Sequence, residues 1–360
     1  MNDTCDGSAI VYCEGAFNTT NGKTAHGLVR FSERYDVKAV IDSRYAGKDS
    51  GQILDGKANG IPILAELESA WEYCKQKAQM PEFFVIGLAP DGGRLEKFAR
   101  KDIIKAMQLG MNVDSGLHDF ISDDPDFYNF SRDNNVKIRD IRKTPTRDKL
   151  HFFTGKIEEV NSLKLALLGT DSAIGKRTSA WILVHGLRKQ GLKTELIGTG
   201  QTAWMQGAKY SIILDSLIND FVSGEIEHAV HEAWKNENPD VIVLEGQGSL
   251  LNPAYPGGFE LLAAGRPDYI VLQHAPFRKE YDGFPGYFLH PLAKQIEAIE
   301  IISGKKVIAV TLNHENMNDY EIKKEAAKIE KEFGIPAVDI LKYGPDDLLK
   351  AIEPLIRKRK

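Results

Sequence analysis

Short runs rich in β-branched and apolar residues alternate with helix-length amphipathic segments from one end of the 360-residue chain to the other. That alternation constrains the fold more than any single motif. Parallel strands need a crossover of a dozen or more residues between them, and the crossover is usually a helix. The predicted class is therefore α/β, with parallel sheets covered by helices. In the first part the expected strands are Ala9 to Cys13, Val37 to Asp42, Phe83 to Leu88 and a short Met111 to Val113, with helices over Ala65 to Gln76 and Leu95 to Leu109. In the second they are Leu163 to Leu168, Thr194 to Ile197, Val241 to Leu244, Tyr269 to Leu272 and Val307 to Thr311, and a helix follows nearly every one.

The length exceeds one ordinary core of roughly 100 to 150 residues, so about two domains are expected. Between Arg142 and Lys156 runs a polar stretch with Pro145 and Gly155 that fits neither period, and the boundary is placed there. Residues 1–150 then form a unit that resembles a Rossmann-type nucleotide-binding domain, and residues 151–360 form the second domain. With 42% hydrophobic and 27% charged residues most of the chain should fold. The formal charge of −5 argues against a partner such as nucleic acid that needs a broad basic face. No apolar run approaches the roughly 18 to 20 residues of a membrane span, and residues 1–15 have neither the basic start nor the apolar core of an export signal. A soluble, cytoplasmic protein with a small-molecule substrate and no membrane partner is expected; a homo-oligomer is left open. Cys5, Cys13 and Cys74 have neither metal-ligand spacing nor disulfide density, and Cys13 belongs to an apolar strand. The basic end, Ile356 to Lys360, reads as a solvated tail.

The most informative segment is Leu168 to Ala180, L-G-T-D-S-A-I-G-K-R-T-S-A, which follows an apolar strand and opens a helix with Ala180, Leu183, Val184 and Leu187 on one face. This is the setting of a phosphate-binding loop, which makes the second domain P-loop-like. Gly169 and Gly175 permit a tight turn, backbone N–H groups and the helix start attract anionic oxygens, and Lys176 adds a point charge. Thr170, Asp171, Ser172, Ala173, Arg177, Thr178 and Ser179 complete the candidate cradle. Five residues separate the two glycines where the Walker pattern has four, and Arg177 stands where Ser or Thr usually follows the lysine. No metal site is assigned.

Further candidates lie at the carboxyl ends of later strands, where ligands collect in open α/β sheets. Glu245 opens E-G-Q-G-S, a carboxylate beside a loop that brings Gln247 and Ser249; His274 and Arg278 follow the next strand; Asn313 follows the last and has the donor and acceptor to read an adenine edge. Asp215 and Asp220 straddle a short apolar run, each a candidate metal ligand or helix-start acid, and Gly198, Gly200 and Gln201 form a candidate substrate-facing loop. In the first domain a second glycine loop, residues 14–24, places Lys23 and Thr24 at a helix start, but six residues lie between Gly15 and Gly22 and G-x-G-x-x-G is absent. Asp42 ends the second strand as a candidate ribose contact. His118, Asp140 and Arg142 are either site residues or members of an ion pair.

The chain resembles a two-domain family, long catalogued as a domain of unknown function, that includes bacterial D-glutamate N-acetyltransferases. The resemblance rests on G-K-T-A-H-G-L (22–28), V-I-D (40–42), I-G-L-A-P-D-G-G (86–93), S-G-L-H (115–118), D-I-R (140–142), G-T-D-S-A-I-G-K-R-T (169–178), G-T-G-Q-T (198–202), D-F-V-S-G (220–224) and E-G-Q-G-S-L (245–250). The second domain also resembles the dethiobiotin synthetase branch of P-loop proteins, from which Arg177 departs by replacing a metal-holding Thr. The two resemblances together imply acetyl-coenzyme A as co-substrate, its diphosphate held by the loop without phosphoryl transfer. For that chemistry residue type and position make Glu245, His274 and Asp215 the catalytic candidates, and Lys23, His118, Gln201, Gln247, Ser249 and Arg278 the substrate-binding ones. The alternatives are a ligase or kinase using ATP with Mg²⁺, and a nucleotide-binding regulator that turns nothing over.

Overall fold

The computed structural model describes residues 5–95 and 99–357. The chain divides into two compact units, Met1–Pro145 with Gly200–Ala208, and Thr146–Thr199 with Lys209–Lys360. Each is built on a parallel sheet. In the first unit the strands are β1 (Gly7–Tyr12), β2 (Tyr35–Ile41), β3 (Ile63–Leu64), β4 (Phe83–Ile86), β5 (Asn112–Ser115) and β6 (Ile138–Asp140). Their order, β3-β2-β1-β4-β5-β6, is that of a doubly wound dinucleotide-binding sheet. In the second they are β7 (Leu163–Gly169), β8 (Thr194–Gly198), β9 (Tyr210–Ser211), β10 (Val241–Glu245), β11 (Tyr269–His274), β12 (Val307–Leu312) and β13 (Ala337–Val338), ordered β13-β12-β11-β7-β10-β8-β9.

The central strands are buried on both faces, which is why they read as unbroken apolar runs rather than alternating ones. All seven residues of β7 are buried. Its one charged residue, Lys164, is covered along its stem and donates from Nζ to the Val160 carbonyl at 3.3 Å. The helix Lys176–Lys189 turns Ala180, Leu183, Val184 and Leu187 inward, as expected, and Trp181 with them. Helices were also expected over Ala65 to Gln76 and Leu95 to Leu109. They form over Leu67–Gln76 and Ala99–Gln108; residues 96–98 of the second expectation lie outside the described residues, as do residues 358–360 of the basic end.

The segment Gly200–Ala208, between β8 and β9, belongs with the first unit for visible reasons. The Gln206 side chain donates from Nε2 to the carbonyls of Gly27 and Phe31, both at 2.9 Å. Arg34 lies over the Trp204 ring at 3.8 Å and donates to the Trp204 carbonyl. The hydroxyls of Thr24 and Thr202 are 2.8 Å apart, and both are buried.

Two strands flank β7 in register, with Glu245 of β10 beside Leu167 and Gln273 of β11 beside Gly169. The carboxyl ends of β10, β7 and β11 are therefore neighbours. Gly246 leaves β10 so close to β7 that a Cβ would sit 2.5 Å from the Leu167 carbonyl oxygen and 3.0 Å from Leu168 Cα. Both obstacles are backbone, so nothing flexible can give way. Gly246→Ala is expected to lower stability by about 1–3 kcal/mol, read as an earlier midpoint in urea; an unchanged midpoint would contradict this packing.

Candidate phosphate-binding site

The loop between β7 and its helix is shaped by two glycines with different tasks. At Gly169 the stem of Lys176 folds across the Cα, and a Cβ would meet Lys176 Cδ at 2.7 Å. Gly175 caps the helix at φ +96°, where an L side chain is strained. Through this turn the backbone N–H groups of Ala173, Ile174, Gly175, Lys176 and Thr178 have no acceptor among the described residues. Undonated N–H groups at a helix start, with the positive dipole end behind them, are suited to receive an anion.

Lys176 is buried, and its Nζ donates to the carbonyls of Asp171 (2.6 Å) and Gly248 (2.8 Å). One of its three N–H bonds remains for a ligand. Burial pulls its pKa down to about 8, against the raising influence of Asp171 and Glu245.

The neighbouring carbonyls and side chains hold the loop. Thr170 N–H donates to the Gln273 carbonyl, and the Thr170 hydroxyl lies 3.0 Å from His274 Nδ1. Ser179 donates to Gln273 Oε1 at 2.6 Å. Asn313 donates from Nδ2 to the Ile174 carbonyl at 2.9 Å and accepts from Glu315 N–H through Oδ1, so both ends of the expected adenine reader are engaged by protein. The fully buried Asp171 carboxylate accepts from Ser172 N–H, Asn252 Nδ2, Arg278 Nη1 and Asp282 N–H. Arg278 also holds the Ser172 carbonyl and Glu315, so its guanidinium is committed to this knot.

Glu245 is buried at the end of β10, accepting from Thr199 N–H at 2.9 Å; Gln247 donates to the Thr199 hydroxyl. Burial raises its pKa, opposed by the charges of Arg177 and Lys176. The raised value makes it a stronger base once ionised. His274 is held down to about 4 by burial and stays neutral near pH 7. Ser249 is buried in the loop after β10, and its Oγ has no hydrogen-bond partner among the described residues.

Other candidates belong to other elements. Asp215 is exposed in a short 3-10 turn beyond the edge strand β9, and Asp220 lies in the first turn of the helix Asn219–Glu237. Lys23, His118 and Gln201 belong to the first unit: Lys23 and His118 are exposed, whereas Gln201 packs against Gly116. There Asp42 accepts from Phe17 N–H and Arg44, closing the 14–24 loop, and Asp140 accepts from Ile121 and Ser122 N–H. Arg142 donates to the Gly116 carbonyl. The Cys13 thiol is buried and pushed far up by that burial, which suits packing rather than nucleophilic attack. Asn252, Gln273 and Asp282 had no signal in the sequence, since their roles come from contacts between distant segments.

A family model described as the P-loop domain of DUF1611, a domain of unknown function, matches residues 151–349, and its Rossmann-like partner matches residues 43–144. The chain belongs to the DUF1611 family. A Pseudoalteromonas protein named D-glutamate N-acetyltransferase is 30% identical over 301 residues, spanning 81% of this chain and 87% of that protein. One of the same name from Tritonibacter scottomollicae is 27% identical over 282 residues, 77% and 82% of the two chains. A crystal structure of a DUF1611 protein from Anabaena variabilis superposes with a TM-score of 0.87 at 29% identity, covering 97% of this chain and 99% of that one. The named relatives support an N-acetyltransferase family. No helix among the described residues is long and apolar enough to cross a membrane.

The buried lysine gives the site a pH signature. An anion favours protonated Lys176, so affinity should fall as pH rises through about 8. Calorimetric titration with pyrophosphate is expected to show this decline in the native chain and a flat, weaker profile in Lys176→Met. Because the folded pKa lies below the ordinary 10.5, the same group penalises the folded state at lower pH, and that penalty fades between about 8 and 10.5. A pH-independent native affinity over that interval would remove Lys176 from the site.

Proposed function

We propose that the chain is an acetyl-coenzyme-A-dependent N-acetyltransferase acting on D-glutamate or a related acidic amino acid in the cytoplasm. The observation that carries this is the row of undonated amides around Lys176, which fits a diphosphate, in a chain whose relatives bear that activity in their names. The amides of residues 173–176 and 178, with Lys176, are the groups that would hold the diphosphate. The co-substrate supplies the acetyl group as an activated thioester.

The chain's own residues have two tasks at the reacting end. An α-ammonium is protonated near neutral pH and must lose a proton before its nitrogen can attack a carbonyl carbon. Glu245, with its pKa raised by burial, is the assigned acceptor of that proton. Thr199 N–H holds the carboxylate in place. His274, neutral and hydrogen-bonded to Thr170 in the phosphate loop, orients that loop. Protein groups engage four of the five N–H bonds of Arg278, so the two carboxylates of the substrate call for further cations beside it.

Arg177 argues against metal-assisted phosphoryl transfer, since no hydroxyl follows the lysine directly. The ATP-dependent alternative still fits a P-loop domain, and one experiment separates the two. Purified protein is incubated with acetyl-coenzyme A and D- or L-glutamate while free thiol and acetylated product are followed by mass spectrometry; parallel reactions hold ATP, Mg²⁺ and the amino acid. Stoichiometric thiol and N-acetyl product are expected, with Glu245→Gln lowering kcat by about 10²–10⁴ and leaving coenzyme A binding intact. Mg²⁺-dependent ADP release without acetylation would replace this function with a ligase or kinase. Saturable binding with no product would favour a regulator.

A further inference from the structure

Asp171 was expected to touch the cofactor, yet its carboxylate faces only protein. It is fully buried, and both oxygens are occupied: Oδ1 accepts from Ser172 N–H (2.7 Å) and Asn252 Nδ2 (2.8 Å), Oδ2 from Arg278 Nη1 (2.9 Å) and Asp282 N–H (3.0 Å). These donors come from three loops, those following β7, β10 and β11. A buried carboxylate is costly unless its lone pairs are satisfied, so each loop must hold its donor in position.

The links extend outward from this knot. Asn252 uses its amide nitrogen on Asp171 and its oxygen on the N–H groups of Ala254 and Tyr255, which fixes the turn carrying Tyr255. Asp282 returns a second contact, accepting from the Ser172 hydroxyl at 3.2 Å. Away from the knot the loops after β10 and β11 meet again, the Tyr255 and Phe284 rings packing edge to face at 6.1 Å. Lys176 is held between two of the joined loops, by the Asp171 carbonyl on one side and the Gly248 carbonyl on the other. Neutralising Arg278 does not by itself require Asp171, because Glu315 already pairs with that guanidinium.

We propose that Asp171 is a positioning residue. It locks the phosphate loop and the loops after β10 and β11 into one rigid mouth, so that the grip on a diphosphate depends on it although it touches no ligand. This rests on the reading of the loop as a diphosphate cradle.

The test uses the full chain as native protein, Asp171→Asn, Asn252→Asp and the double variant. Each is titrated calorimetrically with pyrophosphate and with coenzyme A, and each is followed through thermal unfolding. Asp171→Asn puts a donor where donors already point. Asn252→Asp keeps the acceptor for Ala254 and Tyr255 but sets two carboxylates face to face. Each single change is expected to weaken both ligands by about tenfold or more, and the double variant, which exchanges donor and acceptor across the same contact, to recover part of that loss. If Asp171→Asn does not fold, Asn252→Asp carries the comparison alone. A merely structural role would lower the melting temperature and leave the dissociation constants of the folded variants at the native value, and that result overturns the proposal. Native protein that binds neither ligand would overturn the diphosphate cradle as well, so the two failures are told apart.

Discussion

Backbone N–H groups are obligatory donors, and a chain that leaves five of them undonated in one turn must supply the partner from outside. The loop between β7 and its helix is that turn. Much of the second unit's polar architecture keeps it open. Asn313 holds the Ile174 carbonyl, Gln273 holds Thr170 and Ser179, and Asp171 ties the loop to its neighbours. All of these bonds engage loop carbonyls, side chains or the first amides, and leave the amides around Gly175 available.

The charges around the loop follow from depth. Lys176 and Glu245 are both buried at adjacent strand ends, and burial moves their pKa values toward neutrality from opposite sides. A lysine near 8 can hold an anion and still answer to pH, while a carboxylate with a raised value is a serviceable proton acceptor. His274, neutral at physiological pH, adds a dipole without a third charge. On the proposed function these groups anchor an anion beside a proton transfer, a division of labour with which the Arg after the lysine is consistent.

How far the sequence anticipated this depends on distance along the chain. The strands of four or more residues were visible as apolar runs, whereas β3, β6, β9 and β13 are two or three residues long and too short to show a period. Met111 to Val113 was expected where the strand runs Asn112–Ser115, because the apolar signal ends before the ladder does. The phosphate loop was legible since strand, glycines, lysine and helix are consecutive. The knot beneath it was not: Asn252 and Asp282 reach Asp171 across at least 80 intervening positions, and only the fold brings them together. Strand-end residues such as Asp42, Asp140 and Asn313 looked ready for a ligand, yet their polar atoms close turns of the backbone. Residue type announces hydrogen-bonding capacity; it does not say which partner arrives first.

On the proposed function the amides of residues 173–176 and 178 are donors awaiting a diphosphate. Hydrogen–deuterium exchange across the loop, measured with and without saturating coenzyme A, addresses it directly. Marked slowing of exchange confined to residues 173–178 and the loops beside them is the predicted result. Saturable binding that leaves exchange in this segment unchanged, while protecting amides elsewhere in the chain, would contradict the account.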